Sequence, residues 1–372
     1  MNKRVFSLPE PYTDRLEAAL QSFGFTLKEP RKIASAIQRL SDHYTMNPLA
    51  ATPWNEDWVQ AASLAYYFPL NYARNRAVAQ EARRLGFFHG LKTLADFGSG
   101  MGSALHAFRD TAHEAGSANS PPGTELSYQA HDVSMASLEL GRRLANEGKY
   151  STHATPQHFA LALPRPQEIA DPSSLLLLAS YVLTELEEVP KWWLESEALA
   201  IIEPSTQDDG RKLMTLRQKL IDEGYKIWAP CTHQDACPLL TQSAKDWCHD
   251  RIHWNAPGWF LEIEKHLPMK NRTLTFSYLL ARKTLSPPKR IAELARLTGD
   301  TLEEKGKSRQ SVCRSPEREF LAWFPQRLKK GDAIELERGL LVQLKPELQK
   351  KSSEVRLSSP DDISALAPEF KF

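Results

Sequence analysis

The stretch Leu94-Ala-Asp-Phe-Gly-Ser-Gly-Met-Gly102 restricts what this chain can fold into more than any other. An apolar run ends in glycines at 98, 100 and 102 and gives way to SALHAFRDTAHEA, which reads as strand, tight turn and helix. Glycine supplies the backbone conformations of such a turn and lets a ligand approach the main chain, while the helix start offers unpaired N–H groups. This is a nucleotide-type signal. A dinucleotide fold would instead carry GxGxxG with an acid about 20 residues on. The embedded Asp-Phe-Gly is not a kinase element, because no Gly-rich phosphate loop or HRD-type loop precedes it.

Around this turn, short apolar runs alternate with amphipathic segments. LSYQAHDV, SLLLLASYVL, ALAIIEP and YKIWAP read as strands, and MASLELGRRLANEG reads as a helix. Strands separated by helices imply βαβ units and a mostly parallel sheet, so the fold class is α/β and Rossmann-like. GSANSPPGTE is a turn-rich loop. Residues 1–88 read as helical with no strand among them, and their last helix carries Arg74, Arg76, Arg83 and Arg84. The expected organisation is a helical region at 1–88, the Rossmann-like domain at 89–230 and a cysteine-rich segment at 231–255. A basic part at 256–349 then completes the sheet, and 350–372 is a flexible tail. Within the basic part, NRTLTFSYLLARK reads as a strand and KGDAIELERGLLVQLK as a closing hairpin with Gly339 near its turn.

Over 372 residues, 41% are hydrophobic and 25% charged, as in a soluble globular protein. No uncharged apolar run reaches the roughly 18 residues needed to cross a bilayer. The N-terminus lacks a signal-type apolar core and carries acids that a transit peptide avoids, so the expected location is cytoplasmic. Net charge is +1, yet residues 265–330 hold 16 Lys or Arg against 6 Asp or Glu. Phe276, Tyr278, Phe320, Trp323 and Phe324 are interleaved with them. That composition suits a surface that meets phosphates and stacks bases, and equally a solvated basic face over core aromatics.

Three of the four cysteines, Cys231, Cys237 and Cys248, lie in the polar stretch APCTHQDACPLLTQSAKDWCHD, and Cys313 follows 65 positions after the third. In a reducing compartment such a group is more often ligand or catalyst than disulfide. Four thiolates can close a tetrahedral zinc site or hold a 4Fe-4S cluster. Structural zinc prefers cysteines two to four residues apart, which these are not, though His233, His249 or His253 could replace a thiolate. Spacing alone leaves metal ligands and inert thiols equally open. Pro230-Cys231 also offers a nucleophile of the kind that adds to a pyrimidine ring, but neighbouring thiols make a ligand role more economical.

The glycine turn after Asp96 resembles motif I of class I S-adenosylmethionine-dependent methyltransferases. That resemblance implies a cofactor held by Asp96, Gly98, Ser99, Gly100 and Gly102, with Asp132 at the end of the next strand on the ribose hydroxyls; a helix cap is the plainer role for Asp132. The third strand region, HATPQHFAL, offers only Gln157 toward the adenine. The Asn/Asp-Pro-Pro-aromatic signature of amino-methylating enzymes is absent from LASYVLTEL.

Several further motifs recur in one order between residues 55 and 340: LAYYFPLNYARN, SYVLTEL, EPS at 203–205, APCTHQDACPL, DWCHDRIHW, FSYLLARK, a lone late cysteine and KKGDAIEL. Together they look like the methyltransferase-like family named for the small subunit of the mitochondrial ribosome, which has bacterial members. The resemblance implies a class I methyltransferase fold, association with small-subunit ribosomal RNA during assembly, and a structural 4Fe-4S cluster on Cys231, Cys237, Cys248 and Cys313, zinc being the alternative. The expected protein is a monomer with no catalytic residue yet named. Its rivals are a catalytically silent RNA-binding assembly factor and a zinc-stabilised methyltransferase acting on a protein or small molecule.

Overall fold

A computed structural model describes residues 3–47, 50–114, 126–145, 150–154, 166, 169, 171–186, 188–287 and 294–366. The N-terminal part is helical: α1 (Pro11–Gln21), α2 (Pro30–Met46), α3 (Asp57–Ala62) and α4 (Phe68–Arg84). Proline opens the first turn of α1, α2 and α4, where its missing N–H costs nothing. One strand, β1 (Val5–Ser7), interrupts the expected all-helical start. It is too short to show alternation and owes its conformation to parallel pairing with a strand nearly 250 residues later.

The main sheet contains β2 (Thr93–Phe97), β3 (Ser127–Asp132), β4 (Tyr150–Ala154), β5 (Leu175–Ser180), β6 (Ala198–Glu203), β7 (Lys226–Ala229), β8 (Asp250–Asn255) and β9 (Thr273–Arg282). Between them lie α5 (Ser103–Ala112), α6 (Met135–Leu144), α7 (Gln207–Asp222), the short α8 (Pro238–Thr241) and α9 (Gly258–Glu264). Spatial order is β1-β8-β9-β6-β5-β2-β3-β4, with β7 also on β9. Strands β2 to β6 are parallel and β9 runs against them, the mixed, mostly parallel sheet of a class I methyltransferase-like α/β fold. Order reverses at β2, whose neighbours β3 and β5 leave in opposite directions, and ligands of open α/β sheets bind in the crevice at that point.

The period-two alternation of strand side chains divides the sheet into two cores. Leu94, Leu176, Leu178, Ala200 and Ile202 face α4, α5 and the N-terminal helices. Ala95, Phe97, Leu177, Leu199 and Ile201 face α7 with Trp192 and Trp193. Burial on both faces explains why the strands read as continuous apolar runs.

From residue 294 the chain departs from expectation. Instead of completing the first sheet, it forms a second, with β10 (Leu294–Leu297), β11 (Leu302–Glu304), β12 (Lys307–Cys313), β13 (Glu319–Trp323), β14 (Leu341–Leu344), β15 (Lys350–Lys351), β16 (Glu354–Arg356) and β17 (Ile363–Ala365). The order is β15-β16-β13-β12-β10-β14-β17, and β11 pairs with β12. The expected hairpin at 330–345 does not form: β14 pairs with β10 and β17, while Ile334 and Leu336 plug the second core from irregular backbone. Residues 350–366, expected to be loose, hold Val355, Leu357 and Ile363 in that core. The GSANSPPGTE loop and Gln157 lie outside the described residues.

Candidate functional site

The turn after β2 has the form its glycines allow. Gly98, Gly100 and Gly102 all lie at positive φ, 72°, 53° and 73°, where an L side chain would be strained. The N–H groups of Gly98 and Ser99 both donate to the His131 carbonyl at 2.8 and 3.0 Å, tying the turn to β3. Asp132, at the carboxyl end of β3, accepts from the Gly100 N–H at 2.8 Å and from the Ser134 N–H at 2.8 Å. The cap of α6 is Ser134, whose hydroxyl accepts from Ser137, so Asp132 braces the glycine turn and does not itself cap the helix. Asp96 is buried below the turn and accepts from the Leu105 N–H at 3.2 Å. Burial, reinforced by the nearby Asp132 charge, pushes its carboxyl up to about 7. Asp96 Oδ1 and Ser99 Oγ are buried without a hydrogen-bond partner. The turn thus holds an acceptor and a hydroxyl with no protein partner, at the switch point of the sheet.

Sequence reasoning did not find what surrounds this turn. A Cβ placed on Gly100 would lie 3.7 Å from the Trp54 ring, so Trp54 covers the turn from the N-terminal part. At the end of β5, Tyr181 takes a left-handed φ of 64°, an uncommon conformation for a bulky residue. Asn75 of α4 donates to Ser180 Oγ at 3.2 Å. Glu203, at the end of β6, accepts from Val182 and Leu183 N–H at 3.2 and 2.9 Å, and burial raises its carboxyl to about 8.

The four cysteines meet. Strands β7 and β8 pair with the two ends of the same strand β9, so residues 230–249 leave the sheet edge and return to it. Cys313, at the end of β12, comes in from the second sheet. All four are free thiols and line one cleft of about 500 Å³, counting its open mouth. Arg217 of α7 donates from Nε to Cys231 Sγ at 3.1 Å and from Nη2 to the His233 carbonyl at 2.9 Å. Cys313 Sγ lies 3.4 Å from His233 Nε2, and the Thr232 hydroxyl donates to the Cys313 carbonyl at 3.0 Å. Burial, with repulsion from neighbouring thiolates, raises the Cys237, Cys248 and Cys313 thiols. Trp247 anchors the loop: its Nε1 donates to the Ser205 carbonyl at 2.8 Å, and a Cβ on Gly210 would come within 2.5 Å of its ring. Among the described residues, no three His, Cys, Asp or Glu side chains are placed to hold a single metal ion.

Part of the basic stretch 265–330 is spent within the fold. Arg282 pairs with Glu197 at 2.8 Å, Arg296 with Glu81 at 2.6 Å, Lys307 with Glu354 at 2.7 Å, Arg309 with Glu304 at 2.7 Å and Arg314 with Glu319 at 2.6 Å. Phe276, Tyr278, Phe320 and Trp323 are buried, and Phe324 is half-buried. Much of the expected nucleic-acid surface is therefore core aromatics and internally neutralised charge. On α4, Arg76 and Arg83 are likewise spent on Glu114. Sequence composition records charge but not its partner, which for Arg282, Arg296 and Lys307 comes from distant elements.

No helix among the described residues is long and apolar enough to cross a membrane. No curated protein sequence matches the chain. Solved structures with a similar fold include a Listeria monocytogenes protein assigned as a class I S-adenosylmethionine-dependent methyltransferase: 12% identity, 76% of this chain and 92% of that one, TM-score 0.38. A Pyrococcus horikoshii protein assigned as an RNA methyltransferase is 12% identical over 57% of this chain and 85% of that one, TM-score 0.32. TrmK of M. capricolum, in complex with S-adenosyl-homocysteine, is 10% identical over 59% and 71%, TM-score 0.32. At such scores the fold rests on its own strand order and turn. The family model described as mitochondrial small ribosomal subunit Rsm22 matches residues 58–334, well over half of the chain, and the chain belongs to that family.

Proposed function

We propose that this protein holds S-adenosylmethionine at the Gly98–Gly102 turn and works, as a monomer, on or at small-subunit ribosomal RNA during assembly. The observation that carries the cofactor is the left-handed glycine turn at the sheet's switch point with Asp96 Oδ1 and Ser99 Oγ unpartnered beside it. S-adenosylmethionine supplies a methyl group on a sulfonium, open to in-line displacement. The chain's own contribution is placement: Asp132 keeps lone pairs for ribose hydroxyls, Asp96 offers a carboxylate to the cationic end, and Trp54 keeps water off the turn. Ribosomal RNA as the partner is supported by the family's description.

A 4Fe-4S cluster on Cys231, Cys237, Cys248 and Cys313 belongs to the same proposal. Four free thiols line one cleft, the number that a 4Fe-4S cluster takes at one thiolate per iron. The buried thiols resist ionisation, and a bound cation reverses that preference, so loading and local folding are coupled. The compartment proposed is the cytoplasm, where thiols stay reduced; the family's description is mitochondrial, and cell fractionation decides between them.

The test is methyl transfer from labelled cofactor to immature small subunits, with iron and sulfide analysis of protein purified without oxygen. Methyl incorporation lost with Gly100→Asp supports the enzyme. RNA binding without any incorporation leaves the silent assembly factor. Zinc at full occupancy contradicts the cluster.

A further inference from the structure

A second groove lies on the N-terminal helical part, and neither the glycine turn nor the cysteines line it. One face of α2 carries Arg31, Gln38, Arg39 and His43 at helical spacing, and with Trp58 of α3 and His266 beyond α9 they line a groove of about 1210 Å³, counting its open mouth. The Arg39 guanidinium carbon sits 3.9 Å from the centre of the Trp58 ring, and the indole N–H is held by Glu56 at 3.1 Å. The guanidinium is thereby held against the indole, while Arg39 itself is solvent-exposed. Trp58 packs against the main core, so its other face is taken.

The charges here differ from those of many arginines elsewhere in the molecule. Arg282, Arg296, Arg309 and Arg314 and, on α4, Arg76, Arg83 and Arg84 are matched to carboxylates, whereas among the described residues neither Arg31 nor Arg39 forms an ion pair. The only acid lining the groove among those residues, Asp42, accepts from Gln38 at 2.8 Å. The His43 Nε2 atom is buried with no partner. Two guanidiniums without an ion pair among the described residues, one of them held against an indole, two imidazoles and an amide make a surface for phosphates and an unstacked base. Guanidinium planes serve as stacking platforms in single-stranded RNA recognition, and a duplex would present no free base face to one.

We propose that this groove seats a single-stranded RNA segment, with phosphates on Arg31 and Arg39 and a base against the Arg39 guanidinium. The inference rests on the ribosomal RNA reading above and adds where the RNA lies. The same short segment carries Trp54 at the glycine turn and Trp58 in the groove, which links the groove to the proposed cofactor site through the chain.

The experiment is fluorescence anisotropy with a labelled single-stranded oligoribonucleotide, its duplex form and an acidic peptide, on the full chain and on exposed-residue variants. Arg39→Ala weakens single-strand binding roughly tenfold, as expected for loss of a stacking platform. Arg31→Ala weakens it and lowers the slope of affinity against salt by about one. Arg39→Lys, which keeps charge but not the plane, recovers only part. Thermal unfolding and S-adenosylmethionine binding stay as in the parent protein, which separates this effect from misfolding. Equal binding by parent and Arg39→Glu overturns the groove while leaving the RNA reading intact. Failure of the parent to bind RNA at all overturns both, and tighter binding of the acidic peptide than of RNA makes the groove a protein-docking surface instead.

Discussion

Asp96 is the residue on which the account turns. Its folded-state carboxyl stands at about 7 against an ordinary 3.8, because it is buried and faces Asp132. Folding therefore favours the protonated form, and its stabilising contribution is full below about 3.8 and lost as pH rises through about 7. Asp96→Asn should remove that loss, leaving the variant more stable above pH 7 by roughly 2–4 kcal/mol in urea unfolding. The cationic cofactor asks for the opposite state, so the parent's affinity for S-adenosylmethionine should rise as pH passes through about 7 and the variant's should not. Indistinguishable pH profiles would remove Asp96 from the site. The place of this residue and of Asp132 beside the turn was legible because the motif is local: strand, glycines and acid follow one another in the chain. Trp54 and Arg217 were not, since nothing in their own neighbourhoods marks what they touch.

At the scale of elements, β9 organises the sheet. It pairs with β6 on one side and with both β7 and β8 on the other, fixing where the cysteine loop leaves and returns. Its last residue, Arg282, is buried with Glu197 and also donates to the Phe87 and His89 carbonyls, each at 2.8 Å. Arg282→Met leaves Glu197 buried and uncompensated, which should cost about 3–5 kcal/mol, and adding Glu197→Leu should recover most of it. An unchanged denaturation midpoint for Arg282→Met would refute this. The strands of the main sheet were readable because burial on both faces writes continuous apolar runs. Those of the second sheet were not, because β13 pairs with β16 and β10 with β14 across long separations, and a period-two pattern names no partner.

Across the whole molecule, three parts meet at the cysteine loop. Arg296 of β10 donates to the Pro230 carbonyl at 3.1 Å, to the Gly339 carbonyl at 2.9 Å and to Glu81 of α4 at 2.6 Å. Cys313 and Arg296 thus tie the second sheet to the loop, and Glu81 ties both to the helix that reaches Ser180 beside the glycine turn. If the cysteines hold a cluster, Cys237→Ser should lower iron content, thermal stability and RNA binding together; a loss of methyl transfer alone would argue for a catalytic cysteine. The meeting of the four thiols was expected from family resemblance, since spacing alone left it open, and the element that delivers the fourth was assigned to the wrong sheet.

The central claim is that the Gly98–Gly102 turn is a cofactor site, and equilibrium dialysis against labelled S-adenosylmethionine tests it most directly. The account predicts saturable binding of one molecule per chain, lost in Asp132→Ala and Gly100→Asp while both variants still unfold cooperatively. No saturable binding by the parent protein, or binding that both substitutions leave untouched, would contradict it.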